Sequence, residues 1–181
     1  LSAAPPTSTL LVVIDVQERL VRAMPGIEAC LHHIKTTIHI ARALELDILV
    51  TEQYPKGLGS TLPSIAECLP DEARTISKST FSCWGEPAFA EAVEDSAPSA
   101  MVVAGVEAHV CVQQTALQAA QRNYPVTVLA DAVASRKPID YRTALDIMTR
   151  RGVCVTTVEA QAFDWMLDSQ HPAFKSVSKL F

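Results

Sequence analysis

The chain alternates short apolar runs with longer segments whose apolar residues recur every three or four positions. Leu10 to Ile14 is an unbroken apolar run ending at Asp15, and Asp47 to Thr51, Ala73 to Lys78, Met101 to Ala104, Pro125 to Ala130 and Val153 to Thr157 repeat the theme. Runs of this length, rich in Val and Ile, predict strands buried on both faces. Between them, Ile27, Leu31, Ile34, Ile38 and Ala41 fall at helical spacing within 27–44. Further helices are predicted over 87–93, 111–123, 139–151 and 159–167, with a last turn within 171–181. Residues 53–63 carry Pro55, Gly57, Gly59 and Pro63 and read as a loop. Strand alternating with helix predicts a parallel sheet covered on both sides, the doubly wound α/β class. A polar tail over 1–9 precedes a single domain over 10–181.

Composition narrows the function classes. At 181 residues the chain holds one sizeable core, and 49% hydrophobic residues suit a protein that also buries surface in a homo-oligomer. A net charge of −5 without a basic run argues against nucleic acid or an anionic membrane as partner. No apolar run approaches the ~20 residues that span a bilayer, and the opening LSAAPPTST lacks the features of a secretory signal. The five cysteines are scattered, odd in number and free of CxxC spacing, which points to free thiols in a reducing, cytoplasmic compartment.

In doubly wound sheets ligands bind beyond the carboxyl ends of the strands, where the strand order reverses. Three reactive side chains fall at such ends: Asp15 after the first strand, Lys78 at the end of the third and Cys111 beyond the fourth. Each has an ordinary explanation. Asp15 with Glu18 resembles a helix capping box, Lys78 a solvated strand-end charge, and Cys111 a small buried hydrophobe. Together, at one edge of one sheet, they form a coherent nucleophilic site. A carboxylate takes the thiol proton, an ammonium steadies negative charge, and a thiolate attacks carbon. With the order 3-2-1-4-5-6 the first and fourth strands are neighbours at the switch point, and a lysine is long enough to reach them from the third. The segment opening at Cys111 reads as a helix. A thiol in its first turn, with a lysine nearby, is therefore expected to be the most readily alkylated of the five.

The motifs LLVVIDVQ, ISKSTFS and GVEAHVCVQQTA resemble those of the isochorismatase-like hydrolases over roughly residues 10–181. LADAVASR, GVCVTTVEA and HPAFKSVSKLF are most similar to the branch called isochorismatase domain-containing proteins. The resemblance implies a three-layer α/β/α, Rossmann-like fold with a six-stranded parallel sheet in the order 3-2-1-4-5-6, and an Asp15–Lys78–Cys111 triad. It also implies a cis Val106–Glu107 peptide and an oxyanion site formed by the N–H groups of Glu107 and Cys111.

Where the family's nicotinamidases carry an Asp-x-His metal motif this chain reads TEQYPKGLG, so no metal and no cofactor are expected. His32, His33 and His39 share one helix and are expected at the surface. His109 lies two positions from Cys111 and should point elsewhere. Gln17, Tyr54, Phe81 and Trp84 follow strand ends and are candidates to line the pocket, while Asp131 is expected to cap the DAVASR turn. The expected activity is hydrolysis of a small amide through a cysteine acyl-enzyme. The alternatives are vinyl-ether hydrolysis that does not need the thiol, or a binding or scaffold protein that keeps the pocket. The residues do not name the substrate.

Overall fold

The computed structural model describes residues 8–181, so most of the polar tail lies outside the described residues, and Thr9 already belongs to the first strand. Six strands, β1 (Thr9–Ile14), β2 (Asp47–Gln53), β3 (Arg74–Lys78), β4 (Ala100–Val106), β5 (Val126–Ala134) and β6 (Cys154–Thr156), form one all-parallel sheet in the order β3-β2-β1-β4-β5-β6. β1 lies at the centre with every residue buried, as a strand sandwiched between two helical layers must. Side chains alternate between the faces. Leu11 and Val13 pack with Ile34 and Ile38 of α2 (Glu28–Ala43) and with Ala162 and Trp165 of α8 (Val158–Met166). Leu10, Val12 and Ile14 pack on the other face against α5 (Pro87–Ser96), α6 (Gln113–Gln121) and α7 (Pro138–Arg150) through Phe89, Ala116 and Met148. Truncating any one of these large buried side chains to Ala costs about 2–5 kcal/mol, depending on how far the cavity collapses.

The helical layers are completed by short elements. Three were not anticipated: α1 (Glu18–Arg22), α3 (Pro55–Leu58) and α4 (Pro63–Ala66). Each spans four or five residues, too short to display a helical period. α3 and α4 fall largely inside the segment expected to be irregular, and each starts on a proline, whose fixed φ suits a first helical turn. α9 (Phe174–Val177) supplies the expected C-terminal turn.

The chain leaves the sheet abruptly on both sides of the switch point. β1 pairs Ile14 with Thr51 of β2 and with Gly105 of β4. Gly105 has φ +119°, and a Cβ there would sit 2.1 Å from the Ile14 carbonyl oxygen, so the two strands meet without room for any side chain. Asp15, immediately after Ile14, takes a left-handed φ of +52° while its N–H donates to the Thr51 carbonyl at 3.0 Å. Non-glycine residues adopt that conformation at a cost and where surrounding contacts enforce it. Here it turns Asp15 back into the sheet edge, fully buried. The capping box that was the ordinary alternative for Asp15 and Glu18 does not form: the α1 cap is Gln17, without a side-chain cap bond.

Candidate active site

The carboxyl ends of β1, β2 and β3 converge on the Asp15 carboxylate, and the turn after β4 brings Cys111 near it. Lys78 Nζ donates to Asp15 Oδ2 at 2.7 Å, with both side chains essentially out of solvent. Thr51 Oγ1 donates to the other oxygen, Oδ1, at 2.8 Å. Lys78 spends its remaining donors on Gln53 Oε1 at 2.7 Å and on the Phe81 and Thr80 carbonyls at 3.2 and 3.3 Å. A buried ammonium with acceptors on every side is a charge held in one place. Burial pulls the Lys78 pKa down, but the Asp15 charge more than offsets this, and the net direction is upward.

Cys111 does not occupy the first turn of a regular α-helix. It sits in a π-helical turn, Ala108–Val112, that precedes α6, and π turns are frequent at functional sites. The turn hangs from Glu107, whose carbonyl accepts from Val110 and Val112 at 3.1 and 3.3 Å. The preceding Val106–Glu107 peptide is cis. The Cys111 thiol is buried and lies within reach of the Asp15 charge, though the resting site contains no fully formed hydrogen bond between them among those of the described residues. Burial first, then Asp15, push the Cys111 pKa well above the ordinary thiol value, and Lys78 only partly opposes them.

Burial and the neighbouring carboxylate outweigh the lysine, so the resting group is a thiol. Cys83 behaves similarly, pushed up to about 11 by burial against the pull of Lys78, and Cys30 to about 12 by burial and Asp131. Cys154, expected in a buried strand, is exposed on the short edge strand β6.

The remaining candidates divide. Tyr54 and Phe81 are both more than half exposed and are tied to the lysine by their backbones: Tyr54 N–H donates to the Lys78 carbonyl at 2.8 Å, and the Phe81 carbonyl accepts from Lys78 Nζ. Their backbones bracket Lys78. Gln17 is fully buried with its amide spent: Nε2 donates to the Gln53 and Gly59 carbonyls, and Oε1 accepts from Gln53 N–H. It latches two loops together. Trp84 is a packing residue, stacked on Tyr124, edge-on to Phe89, under the Arg122 guanidinium, with Nε1 donating to the Thr115 carbonyl. Thr51 and Gln53, which hydrogen-bond Asp15 and Lys78, carry no motif that would have singled them out; both read as ordinary strand-end residues.

The surroundings are consistent with this division of labour. His109 Nδ1 lies 2.9 Å from Ser135 Oγ and Nε2 3.9 Å from Asp140, so the ring addresses the loop after β5 rather than Cys111. The buried Glu107 carboxylate accepts from Arg136 N at 2.9 Å and Nε at 3.0 Å. Asp131 accepts from Val158 N–H at 2.9 Å, capping the start of α8 rather than the DAVASR turn, and faces His33 at 3.7 Å. No cluster of three or more His, Cys, Asp or Glu placed to hold a metal occurs among the described residues. A cavity of about 540 Å³ lies at the opposite, amino-terminal edge of the sheet, lined by Leu10, Arg42, Ile48, Arg74 and Asp95; no triad residue borders it.

The fold is thus a parallel α/β/α sheet with a buried carboxylate, ammonium and thiol at its switch point. The chain belongs to the isochorismatase family: the isochorismatase domain model matches residues 9–160. Isochorismatase domain-containing protein 1 of Salmo salar is 35% identical over 97% of this chain, which spans 61% of that relative's length. Among solved structures, the MAR1 ribonuclease of Caenorhabditis elegans superposes with a TM-score of 0.93 at 35% identity, covering 98% of this chain and 91% of that one. The YcaC gene product of Escherichia coli, described as an octameric hydrolase of unknown specificity, shares the fold with a TM-score of 0.91 at 23% identity, over 98% and 88% of the two chains.

Proposed function

We propose that this chain is a cysteine-dependent hydrolase of a small amide, with Asp15, Lys78 and Cys111 as its triad. The observation that carries the reading is the convergence of three strand ends on one buried carboxylate, with a thiol beside it and a fixed ammonium bound to it. Because Cys111 rests as a thiol, attack on the substrate carbonyl is coupled to transfer of its proton to Asp15. The tetrahedral oxyanion is received by the N–H groups of Glu107 and Cys111; the Glu107 N–H donates to no acceptor among the described residues. As the carbon–nitrogen bond breaks, Asp15 returns the proton to the departing amine and a thioester remains on Cys111. Asp15 then takes a proton from water, which attacks the thioester, and the carboxylic acid and free thiol are released. Lys78 compensates the negative charge throughout. Tyr54 and Phe81 form the apolar lips of the entrance. A small-molecule substrate is part of this reading, because a net charge of −5 disfavours a polyanion such as RNA.

The test is incubation of the purified protein with a panel of small primary amides, an enol-ether carboxylate and a single-stranded RNA, following ammonia release, product acids and the mass of the Cys111 peptide. The expected result is ammonia release with a transient acyl adduct on Cys111, both lost in Cys111→Ala. Enol-ether cleavage that survives Cys111→Ala sinks the thiol mechanism. RNA cleavage in preference to any amide sinks the small-molecule reading. A homo-oligomer is part of the same proposal, since Phe163, Leu167 and Phe181 leave an apolar surface exposed.

A further inference from the structure

We propose that Thr51 is a positioning residue of the triad: its hydroxyl, itself held by the Cys83 thiol, fixes the Asp15 carboxylate as an acceptor-only anion, so that the Cys111 proton moves only when a substrate is in place. This rests on the reading of Asp15 as the base for Cys111.

The geometry is directional. Thr51 is fully buried at the last β1–β2 pairing, and it grips Asp15 twice, its carbonyl accepting from Asp15 N–H and its hydroxyl donating to Oδ1. A hydroxyl has one proton to give. An ionised carboxylate can only accept, so that proton must point at Asp15, which leaves the Thr51 oxygen as an acceptor. Cys83 Sγ lies 3.9 Å from that oxygen, and its backbone N–H is pinned by Thr115 Oγ1 at 3.0 Å. Burial keeps Cys83 protonated at neutral pH, so its S–H is the donor. The result is a buried one-way chain: Cys83 S–H to Thr51 O–H to Asp15 Oδ1. Lys78 Nζ occupies Oδ2. Every donor that reaches the carboxylate favours its anion over its acid. With two donors on two oxygens, the carboxylate plane cannot rotate away from Cys111 without breaking both.

Removing the hydroxyl should therefore make Asp15 a stronger base and move the thiol proton toward it. One donor to a charged acceptor is worth about a factor of ten in such a proton equilibrium. The charged and titratable groups facing Asp15 and Cys111 are Lys78 from β3 and Cys83 from the turn after it, and both are kept in every variant.

The experiment measures the rate of iodoacetamide labelling of Cys111, by peptide mapping, as a function of pH from 6 to 9.5. For Thr51→Val, nearly the same shape without the hydroxyl, labelling at pH 7 is expected about tenfold faster, as a pH-independent contribution from the thiolate whose proton sits on Asp15, with the alkaline limb of the profile unchanged. Thr51→Ser, which restores the donor, is expected to return rate and profile to those of the native protein. Thr51→Ala supplies a second hydroxyl-free variant should the valine one fail to fold. A purely structural role would lower the melting temperature of Thr51→Val and leave the Cys111 profile in place; that result, or a Thr51→Ser that behaves like Thr51→Val, overturns the proposal. The readout needs no substrate, so a failure of the amide reading, seen as turnover in Cys111→Ala, is distinguishable from a failure of this one.

Discussion

The Lys78–Asp15 pair is the feature whose removal should be felt most sharply. In Lys78→Met a side chain of similar length fills the space, but Asp15 stays buried with Thr51 as its only side-chain donor, and the Gln53, Thr80 and Phe81 oxygens lose theirs. Breaking one side of a buried, hydrogen-bonded ion pair costs about 3–5 kcal/mol, because an uncompensated charge is left behind. Asp15→Asn strands the ammonium in the same way. The double variant Asp15→Asn/Lys78→Met leaves no charge stranded, so its loss should fall well short of the sum of the singles, with a coupling of about 2–3 kcal/mol. Urea unfolding at pH 7 measures all four stabilities. Native stability should also fall in strong alkali. Lys78 has a raised pKa in the folded state, so its contribution is fully present below the ordinary lysine value of about 10.4 and is lost as pH climbs through the folded value. The loss in Lys78→Met should shrink on acidification, as the stranded carboxylate takes up a proton. Additive single losses, or a native protein indifferent to alkali, would refute the idea that this pair is a coupled buried unit.

Three further outcomes can be checked. With limiting iodoacetamide at pH 7, exposed Cys154 should be labelled ahead of Cys111, and Cys111 labelling should rise as pH is increased toward 9.5; peptide mapping reads both. Gly105→Ala should abolish soluble folded protein, since its Cβ has a backbone carbonyl, not a flexible side chain, to displace; soluble yield and circular dichroism report it. Gln17→Leu removes three buried hydrogen bonds between loops and should cost at least about 2 kcal/mol, with faster amide exchange at Gln53 and over 57–61.

The sheet was legible because its strands are buried on both faces and announce themselves as apolar runs; Leu10 to Ile14 reads as what it is. The ends of those runs then located Asp15 and Lys78. What escaped was whatever depends on side chains meeting across strands. Thr51 and Gln53 look like unremarkable strand-end residues until β1, β2 and β3 are laid side by side. The balance at Cys111 was out of reach for the same reason: the opposing lysine and carboxylate can be inferred from order along the chain, whereas the depth of burial that decides between them cannot. Gln17 and Trp84 follow strand ends as pocket residues do, yet their polar atoms are consumed by neighbouring loops. The short helices α1, α3 and α4 were hidden by their length.

The Gln17 latch has a consequence for how this chain can diverge. By clasping Gln53 and Gly59 from the turn after β1, it makes the two segments a single mechanical part. Residues added or deleted between Tyr54 and Leu58 would have to keep Gly59 within an amide's reach of Gln17, so length variation in this segment is constrained. Descendants of this chain should therefore change the segment after β2 by substitution and not by insertion.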